Sequence, residues 1–437
     1  MAEGRFFEVS PLAKFLLCAK IKGQIGSCFT VLYRVFQMAK DQKHFIPKGF
    51  NFAAMYTGIK RDKSRADMTF IASDVPASAA GVFTQNLVCA APVVLDRSLV
   101  PSDRIQAIVV NSGNANACTG ERGLNDARQM AAWAAKAVGA AEDGALVMST
   151  GIIGHFLPMD VIEAGIRKIS KKLKNDEKSL VAAAKGIMTT DTHHKLFSKQ
   201  ITLGDGTVVT IAGLAKGAGM IAPNMATFLG IVLTDAVLDG KSAQKLLKKI
   251  VHTTFNCITV DGHTSTNDTL LLLANGAAGG ENVAKNKDFA AALESICADL
   301  ARSIPEDGEG ASHLVTLNVK GLKTEADARQ IARYVAESPL TKCALYGNDP
   351  NWGRIMSSAG YSNVPFDVKK ATLHINGFLV FANGAPTDFD AAEVSKSMAS
   401  NREIVIDLKF GEGRQGCRFW TCDLTTEYVH INADYHT

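Results

Sequence analysis

The chain has 437 residues, 47% hydrophobic and 21% charged, with a formal net charge of +4. Its length argues for two or three domains or subdomains, and its composition is that of an average globular protein. The charge is spread without strong blocks, so nothing points to nucleic acid, and no apolar run reaches the ~18 residues that span a bilayer.

In chain order, the first forty residues carry Arg5, Lys14, Lys20, Lys22, Arg34 and Lys40 against Glu3 and Glu8. The piece "PLAKFLLCAKIKG" is too short and interrupted for a secretory signal. Two readings stand: a transit peptide, or an upstream start codon before Met38, which the residues favour. "DMTFIASDV", "AAGVFTQNLV" and "IQAIVVNSG" read as strands. "LNDARQMAAWAAKAVGAA" has helical periodicity and good helix formers. "PMDVIEAGIRKISKKLKND" follows as a helix with Pro158 and Asp160 at its start and lysines at its end.

The second half continues in the same style. "FLGIVLTD" reads as a buried strand. "SAQKLLKKIVHTTFN" reads as a helix capped by Ser242. "FAAALESICADLARSI" and "TEADARQIARYVAES" are two more helices, and "HLVTLNVKG" is a strand. "KKATLHINGFLVFANG" is a hairpin turning at Asn376-Gly377. "EIVIDLKFGEG" and "GCRFWTCDLTTEYVHINA" close the chain as strands. The expected class is α/β or α+β, with mixed sheets and packed helices.

Known chemistries are mostly set aside by spacing. Around Lys216 the order Lys216-Gly217-Ala218-Gly219 is not that of a Walker loop, and "NSGNANACTGERG" lacks the G-x-G-x-x-G spacing. The ten histidines are scattered, without H-E-x-x-H, and a G-x-S-x-G elbow is absent. The nine cysteines, odd in number and without C-x-x-C, read as reduced thiols of an intracellular protein.

Four loops retain chemical interest. In "AKGAGMIAPNMATFLGIVLTDA", Thr227 either opens a strand for purely structural reasons or is presented as a nucleophile. A threonine hydroxyl needs a base, and cutting the chain before it would supply its own α-amine, of pKa ~7.7. The small Ala226 would leave room for attack on the preceding carbonyl. "MSTGIIG" places Thr150 and Gly151 at a turn, where a hydroxyl and an N–H could meet one oxyanion. "MTTDTHH" stacks Thr189, Thr190 and Thr192 around Asp191, and "DGEGA" leaves Glu309 between glycines. Each of these also reads as a capped turn or solvated loop.

Taken together, "AKGAGMIAPNMAT", "NSGNANACTG", "STGIIG", "MTTDT", "VDGHTSTNDT", "DGEGA", "YGNDPNWGRI" and "CDLTTEYVHINADYHT" strongly resemble the ornithine acetyltransferase (glutamate N-acetyltransferase) family of arginine biosynthesis. The resemblance runs from Ile46 to Thr437. It implies a layered N-terminal-nucleophile fold and self-cleavage between Ala226 and Thr227. The products would be an α chain (46–226) and a β chain (227–437), with residues 1–45 an extension. It also implies that Thr227 takes the acetyl group of N2-acetyl-L-ornithine and passes it to L-glutamate by a ping-pong route. Carried over by position, Thr150 and Gly151 are the oxyanion pair. Thr189, Lys216, Thr227, Glu309, Asn432 and Thr437 contact substrate. Lys216 would pair with the α-carboxylate and Glu309 with the δ-ammonium of ornithine. Some members also accept acetyl-CoA as donor; no metal or other cofactor is implied. The expected mature unit is two α and two β chains in the cytoplasm, or in an organelle if the extension is a transit peptide. The sequence departs from the commonest pattern at Ala218, Phe228 and Gly230. The alternatives are an N-terminal-nucleophile aminopeptidase or amidase, and an uncleaved metabolite-binding relative.

Overall fold

The computed structural model describes residues 43–222 and 228–434. From Phe45 onward the chain forms one unit. Its first part comprises β1 (Phe50–Met55), β2 (Met68–Phe83), α1 (Ala91–Leu99), β3 (Ser102–Asn114), α2 (Gly120–Val138), β4 (Ala145–Ile152), α3 (Met159–Ile169), α4 (Glu177–Gly186), β5 (Lys195–Thr202), β6 (Val208–Lys216), β7 (Leu229–Ala236), α5 (Gly240–Thr253), β8 (Thr269–Gly279) and α6 (Lys287–Glu306). The remainder adds β9 (Leu314–Leu322), α7 (Glu325–Glu337), α8 (Pro339–Tyr346), α9 (Trp352–Gly360), β10 (Thr372–Ile375), β11 (Phe378–Ala382), β12 (Ala385–Pro386), α10 (Ala391–Ser400), β13 (Glu403–Lys409), β14 (Gln415–Cys422) and α11 (Thr426–Asp434).

The architecture is mixed α/β, as predicted. The larger, eight-stranded sheet runs β4-β3-β2-β8-β7-β6-β5, with β1 also paired to β2. The pairs β3/β4 and β7/β8 are parallel, and the other pairs of this sheet are antiparallel. The smaller sheet runs β12-β11-β10-β13-β9-β14, with only β13/β9 parallel.

Strand alternation divides the large sheet into layers. Leu146 and Met148 of β4, Leu229, Ile231 and Leu233 of β7, and Leu271 and Leu273 of β8 share one core. Their neighbours Ala145 and Val147 face α2 and α3 instead. Val232, Leu270 and Leu272 face α5 and α6. The two halves of the sheet therefore pack on each other and carry helices outside, an α/β/β/α arrangement. The strand β2 joins the halves: Met68–Ser73 pairs with β1 and Ser78–Phe83 with β8.

Four local readings differ from expectation. "DMTFIASDV" and "AAGVFTQNLV" are not separate strands. The single strand β2 runs through both and ends at Phe83, with its register to β3 shifting between Ala72 and Ala77. Pro76 sits within that irregularity, where no ladder hydrogen bond is required of it. The cap of α5 is Asp239, whose carboxylate accepts from the Ser242 amide, so Ser242 lies inside the helix. The final stretch is a strand only to Cys422; Thr426–Asp434 is helix. Thr150 and Gly151 belong to the end of β4 rather than to a turn beyond it. The Asn376-Gly377 hairpin forms as predicted, both residues having positive φ (48° and 87°).

Candidate active site

Strands β3, β4 and β6 end on one cleft of about 160 Å³. Ala115, Thr150, Gly151, Thr189, Thr190 and Lys216 line it from the part before residue 223. Ser265, Thr266, Asn267, Glu309 and Asn432 line it from the part after residue 227. The structure thus brings together six of the predicted site residues: Thr150, Gly151, Thr189, Lys216, Glu309 and Asn432. Ala226, Thr227 and Thr437 lie outside the described residues. "YGNDPNWGRI" forms the α8–α9 connection, where Asn351 caps α9, and it does not line the cleft.

The oxyanion candidates are held by strand pairing. Gly113 and Gly151 are register partners at the ends of β3 and β4. A Cβ on Gly151 would stand 2.3 Å from the Gly113 carbonyl carbon, and its φ of 133° disfavours any other residue. Below this point lies a buried amide network. Asn267 donates to the carbonyls of Ala115 (2.7 Å) and Ser149 (2.8 Å). The Ser149 hydroxyl donates to Asn111 (2.6 Å), and Asn111 donates to the Asn114 carbonyl (2.8 Å). Satisfied polar groups of this kind fix the strand ends that face the cleft.

Lys216 is buried at the end of β6, with Nζ 3.4 Å from the Thr150 hydroxyl. Burial lowers its pKa, an effect that nearby Asp191 opposes. Asp191 accepts from the Gly217 amide (2.7 Å), the Thr189 amide (3.0 Å) and the buried Lys195 ammonium (2.8 Å). Burial by itself would raise the Asp191 carboxyl, but Lys195 and Lys216 outweigh it and hold it far below the usual carboxylate range. Lys195 also donates to Asp307 (2.6 Å), which receives the Thr192 hydroxyl and faces His193. This buried relay ties "MTTDT" to the strand that carries Lys216.

On the opposite wall, Asn432 of α11 donates to Glu309 (2.9 Å). Gly219 makes that approach possible, because a Cβ there would meet the Glu309 carboxylate at 2.3 Å. Asp261 accepts from the amides of Met220 (2.6 Å) and Ile221 (2.9 Å) and from the Tyr428 hydroxyl (3.2 Å). Burial, followed by the Asp261 charge, raises the Tyr428 pKa, which keeps it a neutral donor. Phe228 is buried and stacks on Phe255, with ring centroids 4.2 Å apart. Both flanks of residues 223–227 are therefore anchored.

Sequence reasoning missed Asn267, Asp261, Lys195 and the anchoring role of Asp191. Asn267 and Asp261 belong to the quoted "VDGHTSTNDT" block, and Asp191 to "MTTDT". Lys195 had no signal, because, although Asp191 stands four residues before it, its other partner Asp307 is 112 positions away.

Against known proteins, the model of the ArgJ family matches residues 51–437. The chain belongs to the ArgJ family. Among ArgJ relatives, the arginine biosynthesis bifunctional protein ArgJ of Rhodopirellula baltica is 44% identical over 399 residues, covering 90% of this chain and 97% of that protein. The mitochondrial ArgJ of Yarrowia lipolytica is 43% identical over 407 residues, covering 90% and 94%. Of solved structures, ArgJ from Bacillus halodurans aligns at 36% identity and a TM-score of 0.45, over 46% of this chain and 96% of that chain. Ornithine acetyltransferase from Mycobacterium tuberculosis, complexed with ornithine, aligns at 34% identity and a TM-score of 0.38, over 41% and 93%.

Proposed function

We propose that this ArgJ-family acyltransferase moves the acetyl group of N2-acetyl-L-ornithine to L-glutamate in arginine biosynthesis. The observation that carries the reading is the convergence of Thr150, Gly151, Thr189, Lys216, Glu309 and Asn432 on one cleft, in a chain of this family.

Thr227 acts as nucleophile once the peptide bond after Ala226 is cut, and its freed α-amine takes the hydroxyl proton. The Thr227 oxygen attacks the acetyl carbonyl carbon. The Thr150 hydroxyl and Gly151 N–H hold the oxyanion, the C–N bond breaks, and ornithine leaves on its α-nitrogen with the proton returned by the Thr227 α-ammonium. The α-amine of glutamate then attacks the acetyl ester, the bond to the Thr227 oxygen breaks, and the Thr227 α-amine carries the proton from the attacking nitrogen to that oxygen, regenerating Thr227. Lys216 holds the substrate's α-carboxylate. Glu309, oriented by Asn432, meets the δ-ammonium of ornithine. Thr189 and Thr437 complete the substrate contacts. The cut leaves β6 and β7 as antiparallel neighbours through six register pairs, so the α and β chains stay together. The mature assembly is two α and two β chains.

The test is a full-length preparation given acetyl-labelled acetylornithine and glutamate. Transfer to glutamate, not to water, and two bands on a denaturing gel are expected. A single 46.6 kDa band in active protein would sink the cleavage mechanism. Acetyl-CoA with glutamate, without acetylornithine, tests the second donor. The compartment is the cytoplasm, or an organelle if residues 1–45 direct import, which fusion of that segment to a reporter decides.

A further inference from the structure

A second cleft, of about 540 Å³, lies behind the segment that forms one wall of the candidate active site. Thr189 and Thr190 face the first cleft, while Met188, Thr192, His193 and His194 line the second. Arg65 and Lys185 complete its basic lining, and none of its lining residues is acidic. Its volume is within the range of small-molecule sites.

The charges there are unevenly compensated. His193 pairs with Asp307 at 3.1 Å. Asp62 lies near enough to Arg65 to feel its charge, but it is engaged by the Ser64 amide and hydroxyl. Among the described residues, no carboxylate comes within salt-bridge distance of Arg65 or Lys185. The contrast is a third cleft, around His252, Arg329 and Arg333. There Arg329 is paired with Glu325 and Arg333 with Glu337.

The partition between the first two clefts is built by Lys60. Asp67 accepts from the amides of Gly58, Ile59 and Lys60, which fixes that loop. The Lys60 ammonium then donates to the carbonyls of Ala66 (2.9 Å) and Met188 (2.8 Å), two residues that line the second cleft. It lies near enough to feel the charges of Lys216 and Asp191 in the first.

We propose that this basic cleft binds a phosphate-bearing anion, with Arg65 and Lys185 as its charged donors. Guanidinium and ammonium groups are the side chains that recognise phosphate oxygens, the former in a planar fork. Two sources share this chemistry: the diphosphate of a phosphorylated acyl carrier, and a free phosphate-bearing effector. Either would be read at the active site through Met188–His194. The site does not depend on the acetyl-transfer reading, which the exchange assay reports separately.

The experiment is calorimetric titration of the full-length protein with inorganic pyrophosphate and with coenzyme A at low salt. It is repeated on the Arg65→Ala/Lys185→Ala double variant and on the charge-keeping Arg65→Lys/Lys185→Arg variant. Saturable binding of both probes is expected, weakened about tenfold or more in the alanine variant and by rising salt, and largely kept in the charge-keeping one. Acetylornithine-to-glutamate exchange should be unchanged in both variants. Tighter binding of coenzyme A than of pyrophosphate assigns the carrier. Equal binding with an altered exchange rate assigns the free effector. No saturable binding of either probe to the unmodified protein, or equal binding by the alanine variant, overturns the proposal.

Discussion

The two sheets of this protein differ in how densely they bury charge beside their apolar cores. The small sheet and its helices α7, α9 and α10 close on an apolar core that includes Ile331, Val335, Ile404, Ile406 and Phe419. Ion pairs on its helix α7, such as Arg333–Glu337, stay partly exposed, while His313 and Asp423 pair in a buried position at the ends of β9 and β14. The large sheet keeps Asp191, Lys195, Lys216 and Asp307 buried around one end. Buried charges are expensive and persist only when paired and hydrogen-bonded, and replacing them with apolar groups is often neutral or stabilising. Their concentration beside the cleft is therefore better explained by positioning than by stability.

Substitutions can break that contrast, and the largest effect belongs to Thr227. Thr227→Ala should abolish self-cleavage and lower acetyl transfer by at least about 10⁴-fold, read by gel and by kcat/KM. A variant that still cleaves and transfers acetyl groups would remove Thr227 from the mechanism. Lys216→Met should lower kcat/KM by roughly 10- to 150-fold, the loss of one charge-assisted bond of about 1.5–3 kcal/mol, with the fold kept. An unchanged KM and kcat would mean that Lys216 touches no substrate.

On the apolar side, Ile406→Ala should cost about 2–5 kcal/mol in unfolding free energy and leave the kcat of the folded fraction unchanged. The reverse outcome would couple the small sheet to catalysis. A pH series sharpens the same contrast. The Asp191 and Asp307 carboxyls have depressed pKa values when folded, so their contribution is fully present above the unfolded carboxylate range, ~3.9. It is lost as pH falls below that range. Asp191→Asn should therefore be destabilising at pH 7 and flatten the acid limb of a stability profile.

Asp96 provides the smallest effect and the opposite sign. Burial raises its carboxyl well above the usual range; one oxygen accepts from the Val147 amide and the other has no hydrogen-bond partner among the described residues. A raised folded pKa gives stability that is present below the unfolded pKa and lost as pH rises towards the folded one. Asp96→Asn should thus be neutral or stabilising at pH 7 to 8, by about 1 kcal/mol, and lose that advantage near pH 4. Melting temperatures at the two pH values check it.

Most single elements were legible because they depend on local pattern. The buried strand β7, the helices at Gly120–Val138 and Lys287–Glu306, and the Asn376-Gly377 hairpin follow from period, propensity and turn chemistry. The exceptions have local causes as well. Asp239 is a better cap than Ser242 because its carboxylate reaches an N-terminal amide. "TTEYVHINA" is rich enough in β-branched and aromatic residues to read as strand, yet α11 docks Tyr428 and Asn432 onto Asp261 and Glu309. Such contacts override propensity.

By itself, then, the sequence determined the α/β class, most helices and strands, and, through the resemblance of its motifs, the residues to watch. Tertiary structure alone decided that Gly113 backs Gly151, that Gly219 makes way for Glu309, and that Lys195, beside Asp191, reaches Asp307, 112 positions further on. The reason is physical. Local pattern fixes backbone conformation, whereas a pocket is made by close approach of groups whose separation along the chain carries no period to read.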